Sequence, residues 1–298
     1  MVLKILQILL FFDILLLVIF MLSKYEKSLY FLSNNIHLFR CPICKQSLEF
    51  KDNTLRCMNN HVFNINKKGI SCLLNNSNLK PSKIYNKFLF ENRRSFINNN
   101  YYNFLYETIV SYIKKTYKNN KINILDLGCG EGLHSFKILE KLDNYIYFGM
   151  DYSKDAINLA SDYLSENNFY FIGDVNNLPF TEKQFDVILD ILSPYNEKEI
   201  KRLLKDDGLF IKVVPGVNYL KEVRVGLSMK EYDTNILLEK KFKVYDKIEI
   251  SDTKEIDEIN TKYLINMTPI NTSTKKYIKL NNITINLIIY VVKGVNHD

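Results

Sequence analysis

The stretch Asp126-Leu127-Gly128-Cys129-Gly130-Glu131-Gly132 constrains this chain more than any other. An apolar run, Lys121 to Leu127, leads into it and reads as a buried strand. A helical pattern follows, from about Leu133 to Leu142. A strand, a glycine-rich bend and a helix N-terminus let the backbone approach a ligand closely. Tyr145 to Met150 reads as a second strand that ends in Asp151. An acid at that tip, about twenty residues past the glycines, is placed to accept both hydroxyls of a ribose.

The pattern continues in the same sense. Ser153 to Leu164 reads as a helix with Ser153 as its N-cap, and Phe169 to Ile172 as a third strand ending at Gly173-Asp174. Phe185 to Asp190 is a fourth strand. After a helix, the turn Lys205-Asp206-Asp207-Gly208 leads to a strand over Phe210 to Val214. Phe242 to Ile250 and Tyr277 to Val292 complete a sheet of seven strands. Strands alternating with helices imply an α/β protein with a parallel, doubly wound core. Nicotinamide and S-adenosylmethionine sites share this opening. A dehydrogenase more often carries the longer G-x-G-x-x-G, whereas here Gly132 comes too early and Leu133 follows it.

A second motif precedes the first. Cys41, Cys44, Cys57 and His61 are spaced C-x2-C-x12-C-x3-H. Zinc favours four N/S donors in a tetrahedron, and a C-x2-C knuckle offers two thiolates on one side of the ion. Ser47 to Phe50 and Asn53 to Arg56 read as short strands around Lys51-Asp52, and Val62 to Ile65 continues the alternation. So small a segment buries little core, so the metal must supply its folding energy, roughly 10–16 kcal/mol. The competing reading is a chance alignment or two disulfides. No acid stands beside the four ligands as a base, so the expected zinc is structural. Cys72, in the apolar run Ile70 to Leu74, is expected to be a small buried hydrophobe.

Charge is divided unevenly over the 298 residues and net +7. Residues 21–125 hold seventeen Lys/Arg against five Asp/Glu, a local +12, which leaves −5 for residues 126–298. A basic first third suggests a polyanionic partner, set against the plainer reading that lysine merely solubilises the surface. Five cysteines exclude a disulfide-dense secreted scaffold, and 24% charged residues with 47% hydrophobic exclude a disordered chain. Residues 2–22 are almost wholly apolar and long enough to cross about 30 Å of bilayer. Asp13 in their middle opposes insertion by about 2.5–3.5 kcal/mol. Either the start codon is over-extended and Met21 begins the protein, or residues 1–22 are an anchor. In the second case Lys24, Lys27 and Arg40 hold the rest in the cytoplasm.

From about His37 to Val292 the chain resembles the bacterial 23S ribosomal RNA guanine-N1 methyltransferases. The residues that carry the resemblance are Cys41/Cys44/Cys57/His61, Lys68-Gly69-Ile70, Asn92 to Phe96, Tyr102 and Asp126 to Gly132. Phe148 to Asp151, Leu178-Pro179-Phe180, Pro194, Pro215-Gly216 and Met267-Thr268-Pro269 follow in family order. The resemblance implies a class I S-adenosylmethionine-dependent methyltransferase fold, Rossmann-like and seven-stranded, with a small N-terminal zinc ribbon. It implies a ribbon over 38–75, a basic helical linker over 76–118 and a methyltransferase domain over 119–298. It further implies S-adenosylmethionine as donor, structural Zn2+, 23S ribosomal RNA as partner and a cytoplasmic setting, with a homodimer left open.

By position, the resemblance assigns to the donor Tyr102, Asp126, Gly128, Gly130, Glu131, Gly132, Asp151, Asp174 and Tyr219. Tyr219 stands where some members have histidine, Asp190 where some have a basic residue, and Lys205 to Gly208 replaces a Lys-Pro-Gly-Gly turn. Guanine N1 must lose a proton before methylation, and Asp190 or the Ser193-Pro194 backbone is the candidate acceptor. Asp190 reads equally as a helix N-cap or a surface acid. Tyr102, Tyr195 or Tyr219 could stack on the base, and Lys83, Lys87, Arg93 and Arg94 could meet phosphates. His134 reads as a packing histidine. Two rival functions remain: a methyltransferase acting on a small molecule, and a non-catalytic zinc-dependent RNA-binding protein.

Overall fold

The computed structural model describes residues 22–75, 82–229, 238–268 and 278–294. The apolar segment 1–21, Pro269 and Tyr277 lie outside these residues. Among the described residues no helix is long and apolar enough to cross a membrane.

Helix α1 (Lys24–Asn35) opens on a capping box. Ser23 Oγ accepts from the Glu26 backbone N–H, and Glu26 accepts from the Ser23 N–H at 2.8 Å. The ribbon follows as a three-stranded antiparallel sheet of β1 (Glu49–Lys51), β2 (Thr54–Arg56) and β3 (Val62–Asn64). Asp52 and Asn53 both take positive φ, 51° and 57°, as a two-residue hairpin of the right-handed twist requires.

The main sheet has eight strands rather than the expected seven. In chain order they are β4 (Ser71–Cys72), β5 (Ile122–Leu127), β6 (Tyr145–Asp151), β7 (Asn168–Ile172), β8 (Phe185–Ile191), β9 (Leu204–Pro215), β10 (Val244–Glu255) and β11 (Asn282–Lys293). Their order across the sheet is β10-β11-β9-β8-β5-β6-β7-β4. Pairs from β4 through β9 run parallel, and β11 pairs antiparallel with both β9 and β10. The added strand is β4: Ser71 and Cys72 lie beside Phe171 and Ile172, so the end of the ribbon segment joins the large sheet. Cys72 is half-buried on this edge, not enclosed.

The expected turn at Lys205 to Gly208 is a register shift inside a strand. Phe185 pairs with Leu204 and Val187 with Leu209, so the extra residues bulge while the backbone stays extended. Every residue of β7 and β8 is buried, which fits parallel strands covered on both faces. Helices α2 (Lys87–Ile97) and α3 (Asn103–Tyr117) precede the sheet proper, and α2 packs on α9 (Glu258–Met267). Between them in sequence lie α4 (Leu133–Leu139), α5 (Lys154–Ala160), α6 (Glu197–Leu203), α7 (Lys221–Gly226) and α8 (Leu238–Lys241).

The ribbon has no core of its own to speak of; it shares one with the large domain. Phe39 packs on Phe180 with centroids 4.9 Å apart and edge-on to Phe148 at 5.6 Å. Phe31 of α1 meets the same Phe148 at 5.2 Å. Backbone bonds seal the joint: Arg40 N–H donates to Pro179 O at 3.0 Å, and Thr181 N–H to Leu38 O at 2.9 Å.

Candidate donor cavity and zinc cluster

Strand order reverses at β5: β6 and β7 lie on one side, β8 and β9 on the other. Ligands of open α/β sheets bind beyond the carboxyl ends of strands at such a switch point. A cavity of about 1200 Å³ opens there, walled by Gly128, Gly130, Glu131, Asp151, Asp174 and residues of β9 and α9.

The glycine loop explains its own composition. Gly128 sits at φ +69°, and a Cβ there would come within 2.5 Å of Ser193 Cβ. Gly130, at φ +60°, has Arg93 as its nearest neighbour at 3.7 Å, so its bare face is turned to the cavity. The Gly130 N–H donates to Asp151 Oδ2 at 3.0 Å and the Ser153 N–H to Oδ1 at 2.7 Å. Those bonds fix the carboxylate at the rim and leave each oxygen a second lone pair. Burial pushes the Asp151 carboxyl up, against the lowering effect of the two N–H groups.

Asp126 and Gly132 do not line the cavity. Asp126 is enclosed beneath the loop, bonded to Ser135 Oγ and, at 3.0 Å, to Tyr147 OH. Burial pushes it up to about 7. Gly132 begins α4 and packs against Ala160. Glu131 does line the cavity, is 1% exposed, and its Oε2 has no hydrogen-bond partner among the described residues. Burial raises it to about 7, while the facing Arg93 pulls it down. Asp174 accepts from the Asn176 backbone at 2.9 Å and also reaches the cavity.

The far wall is aromatic. Tyr102 and Tyr219 join hydroxyls at 2.8 Å, and His134 lies edge-on to Tyr102 at 4.9 Å. His134 Nδ1 is bonded to Tyr106 OH at 2.8 Å; burial, then Arg93, lowers the imidazole to about 3, so it is neutral. The packing role read for His134 stands, although one side of it opens on the cavity. Tyr195 packs against Phe210 and Phe242 instead.

Asp190 is neither a helix N-cap nor a surface acid. It is 0% exposed, the cap of α6 is Asn196, and its carboxylate turns back into the fold. Its Oδ1 accepts from Lys212 Nζ at 2.8 Å and from Ser193 Oγ at 2.7 Å. Lys212 reaches the cavity and Asp190 does not. Sequence reading missed Lys212, although a lone lysine inside the apolar run Phe210 to Val214 was a usable signal. Of the expected phosphate contacts, Arg94 is consumed internally by Asp162, at 2.7 Å, and by the Leu159 and Glu131 carbonyls. Arg93 faces the cavity, Lys87 pairs with Glu91 and Lys83 is exposed.

The four zinc candidates come together. One ligand atom from each of Cys41, Cys44, Cys57 and His61 lies within 4.8 Å of the others. His61 Nδ1 is 3.6 Å from Cys41 Sγ and 3.3 Å from Cys57 Sγ, and Cys44 Sγ is 3.5 Å from Cys57 Sγ. A tetrahedral zinc with ordinary Zn–S and Zn–N bonds needs edges of roughly 3.5–3.8 Å, so the set fits the ion. The Gln46 backbone N–H points at Cys44 and lowers its thiol, as a knuckle should. All five cysteines are free, which removes the disulfide alternative.

Comparison with known proteins agrees with this geometry. Residues 118–262 match the family profile described as methyltransferase domain, and residues 39–82 match the zinc ribbon described as RlmA, N-terminal. A relative from Bacillus subtilis (strain 168), YxjB, is provisionally named a 23S rRNA (guanine-N(1)-)-methyltransferase. It is 33% identical over 258 residues, covering 80% of this chain and 88% of that protein. The chain belongs to the 23S rRNA (guanine-N1)-methyltransferase family. A second member, the 23S rRNA (guanine(748)-N(1))-methyltransferase of Streptomyces fradiae, is 25% identical over 66% of this chain and 70% of its own length. The family's two parts, a methyltransferase domain that uses S-adenosylmethionine and a zinc ribbon, are the two sites built above.

The cavity residues fit that donor. An acid stands at the β6 tip, bare loop backbone lies beside it, and the orphaned Glu131 Oε2 and the Arg93 guanidinium line the same cavity, so acceptor and donor are both present.

Proposed function

We propose that this protein transfers a methyl group from S-adenosylmethionine to N1 of a guanine in 23S ribosomal RNA. One observation carries the reading: a cavity at the switch point of the sheet lies in a chain whose Cys/His ribbon packs on the same core and exposes more basic than acidic side chains. Lys51, Arg56, Lys67 and Lys68 are all exposed, as a phosphate-binding face requires.

In this reading Asp151 accepts the ribose hydroxyls. Gly128 and Gly130 bring backbone against the donor, Asp174 borders its base, and Glu131 with Arg93 holds its amino-acid end. Asp126 acts from below, fixing the glycine loop through Ser135 and Tyr147. The Tyr102–Tyr219 pair forms the wall between donor and target base. When bound, S-adenosylmethionine supplies an electrophilic methyl carbon, so the chain's own task is alignment and exclusion of water. A loop nucleotide is already partly unstacked, and flipping it into the cavity costs only a few kcal/mol. Residues 38–75 then recognise RNA, 76–118 join the halves, and 119–298 carry the transfer; pairing with a second copy is open to sedimentation.

The test is primer extension on ribosomal RNA from cells lacking the gene, beside nucleoside mass spectrometry of RNA treated with purified protein. An N1 methyl blocks Watson–Crick pairing, so loss of one stop and gain of N1-methylguanosine in vitro are expected. A methylated product other than N1-methylguanosine refutes the reading. Turnover indifferent to salt would favour a small-molecule substrate, because phosphate contacts weaken steeply as salt rises.

A further inference from the structure

Lys212 is the one charged residue in the apolar run Phe210 to Val214 of β9 and is 5% exposed, yet it forms part of the cavity wall. Lysine is almost never fully buried without a partner. Here Asp190, directly across the β8–β9 register, supplies one at 2.8 Å, and the Ser193 carbonyl accepts a second N–H. The Nζ also lies 5.5 Å from the Tyr195 ring centroid. An ammonium has three N–H donors in all, and no described residue claims the third. Asp190 is itself locked by Ser193 Oγ and by the Ser193 N–H at 3.2 Å. The ammonium is thus held by a buried carboxylate and a carbonyl, on a residue that forms part of the cavity wall.

We infer that Lys212 is a catalytic residue that hydrogen-bonds guanine O6, and that Asp190 is its positioning residue. This deepens the function proposed above and rests on it. Two other uses of the cation fit worse. RNA phosphates run along the outside, whereas Lys212 is buried. The donor's carboxylate already has Arg93, on the opposite side of the glycine loop beside Gly130 and Glu131.

The chemistry requires such a donor. The N1 lone pair of neutral guanine is delocalised into C6=O6, and N1 becomes nucleophilic as its N–H bond breaks. The proton passes to water, the freed pair forms the new N1–methyl bond, and the methyl–sulfur bond breaks with its electrons kept by sulfur. Negative charge develops over N1 and O6 before the methyl arrives. A fixed, largely buried ammonium at O6 stabilises that charge without having to reorganise, which is where such donors have most effect. Because Asp190 already balances Lys212, the neutral base enters without facing an unpaired charge.

The test uses the full chain with zinc, donor and a 23S rRNA fragment. Lys212→Met is expected to slow single-turnover formation of N1-methylguanosine by about 100-fold or more, the scale of losing one preorganised donor. Donor and RNA dissociation constants should stay within about threefold. The variant's rate should climb with pH where the wild type is flat, since solvent alone must then generate the anion. If Lys212→Met leaves Asp190 uncompensated and the protein fails to bind donor, Asp190→Asn combined with Lys212→Met restores neutrality and takes its place. Asp190→Asn alone should slow transfer less than Lys212→Met. N1-methylguanosine formed by the wild type and by a donor-binding Lys212 variant at the same rate overturns this inference alone. Absence of N1-methylguanosine with the wild type overturns the proposed function and this inference together.

Discussion

Cys44→Ser tests how far the zinc cluster reaches. Strands β1, β2 and β3 have three residues each, and a small zinc domain draws about 10–16 kcal/mol from its metal. Residues 40–66 should therefore unfold when one thiolate is lost. The ribbon, however, also grips the loop after β7. Asn177 Nδ2 donates to Pro42 O at 2.9 Å inside the zinc knuckle, and Lys45 Nζ donates to both Pro42 O and Asn177 Oδ1. The Arg40–Pro179 and Leu38–Thr181 backbone bonds flank this contact. At about 0.5–1.5 kcal/mol net for each bond, the four that cross the joint contribute about 2–6 kcal/mol of order to the segment that presents Asp174. Most of that is spent before the donor is reached, so a loss of about tenfold in donor affinity is expected, with binding still measurable. RNA affinity should fall much further. Hydrogen exchange should lose protection at Cys41 and Cys57 and keep it in β5 and β8. Calorimetry reads the donor and filter binding the RNA. Unchanged RNA affinity removes the ribbon from recognition, and unchanged donor affinity refutes the grip on the Asp174 loop.

Three further outcomes are open to measurement. Asp151→Ala should weaken the donor by about 1–3 kcal/mol, the scale of lost hydrogen bonds to a charged group, in a calorimetric titration; an unaltered dissociation constant removes the ribose assignment. Gly128→Ala forces a Cβ to within 2.5 Å of Ser193 and a side chain into φ +69°, so Tm should fall by several degrees, corresponding to about 1–3 kcal/mol, and a normal melt would contradict the packing described. The folded state keeps Asp126 protonated to about pH 7, against an ordinary value of 3.8. Between those limits the native state binds the extra proton, so stability falls as pH rises, by as much as about 4 kcal/mol. Denaturant titrations of Asp126→Asn from pH 4 to 7 should show a shallower fall than the wild type. A slope remains because Glu131, also raised to about 7, acts in the same direction; identical slopes would refute the buried, protonated Asp126.

What could be read in the sequence was local. Gly128, Gly130 and Asp151 are legible because each answers to a nearby backbone demand, and all three line the cavity. The four zinc ligands are legible because two pairs of donors lie within a few residues of one another. Ser153 was readable as an N-cap, and its hydroxyl accepts from Ala156 N–H as expected. Contacts across sequence were not readable. Ser71 and Cys72 form a strand of two residues, too short for any period, and became sheet only because β7 offered an open edge. The Lys205 to Gly208 stretch has turn composition, yet pairing on both sides holds it extended. Asp190 looked like an acid at the mouth of a site because its place at a strand end is visible. The rotation of its carboxylate onto Lys212, twenty-two residues away, is set by register and burial alone.

The same distinction sorts the basic first third of the chain, whose charge was read as one feature and serves two ends. Arg40 and Arg94 are bound inward: Arg40 to Glu199 at 4.0 Å, Arg94 to Asp162 and two carbonyls. They tie ribbon and linker to an acidic domain, so part of the positive charge is matched by the negative remainder within one molecule. Lys51, Arg56, Lys67 and Lys68 remain exposed, in and just after the ribbon that carries the Cys41/Cys44/Cys57/His61 cluster. The cavity is walled by four acids, Glu131, Asp151, Asp155 and Asp174, and by three cations, Arg93, Lys154 and Lys212. In the proposed reaction an uncharged base, carried in on its backbone, would enter a cavity of mixed charge and meet Lys212 in its wall.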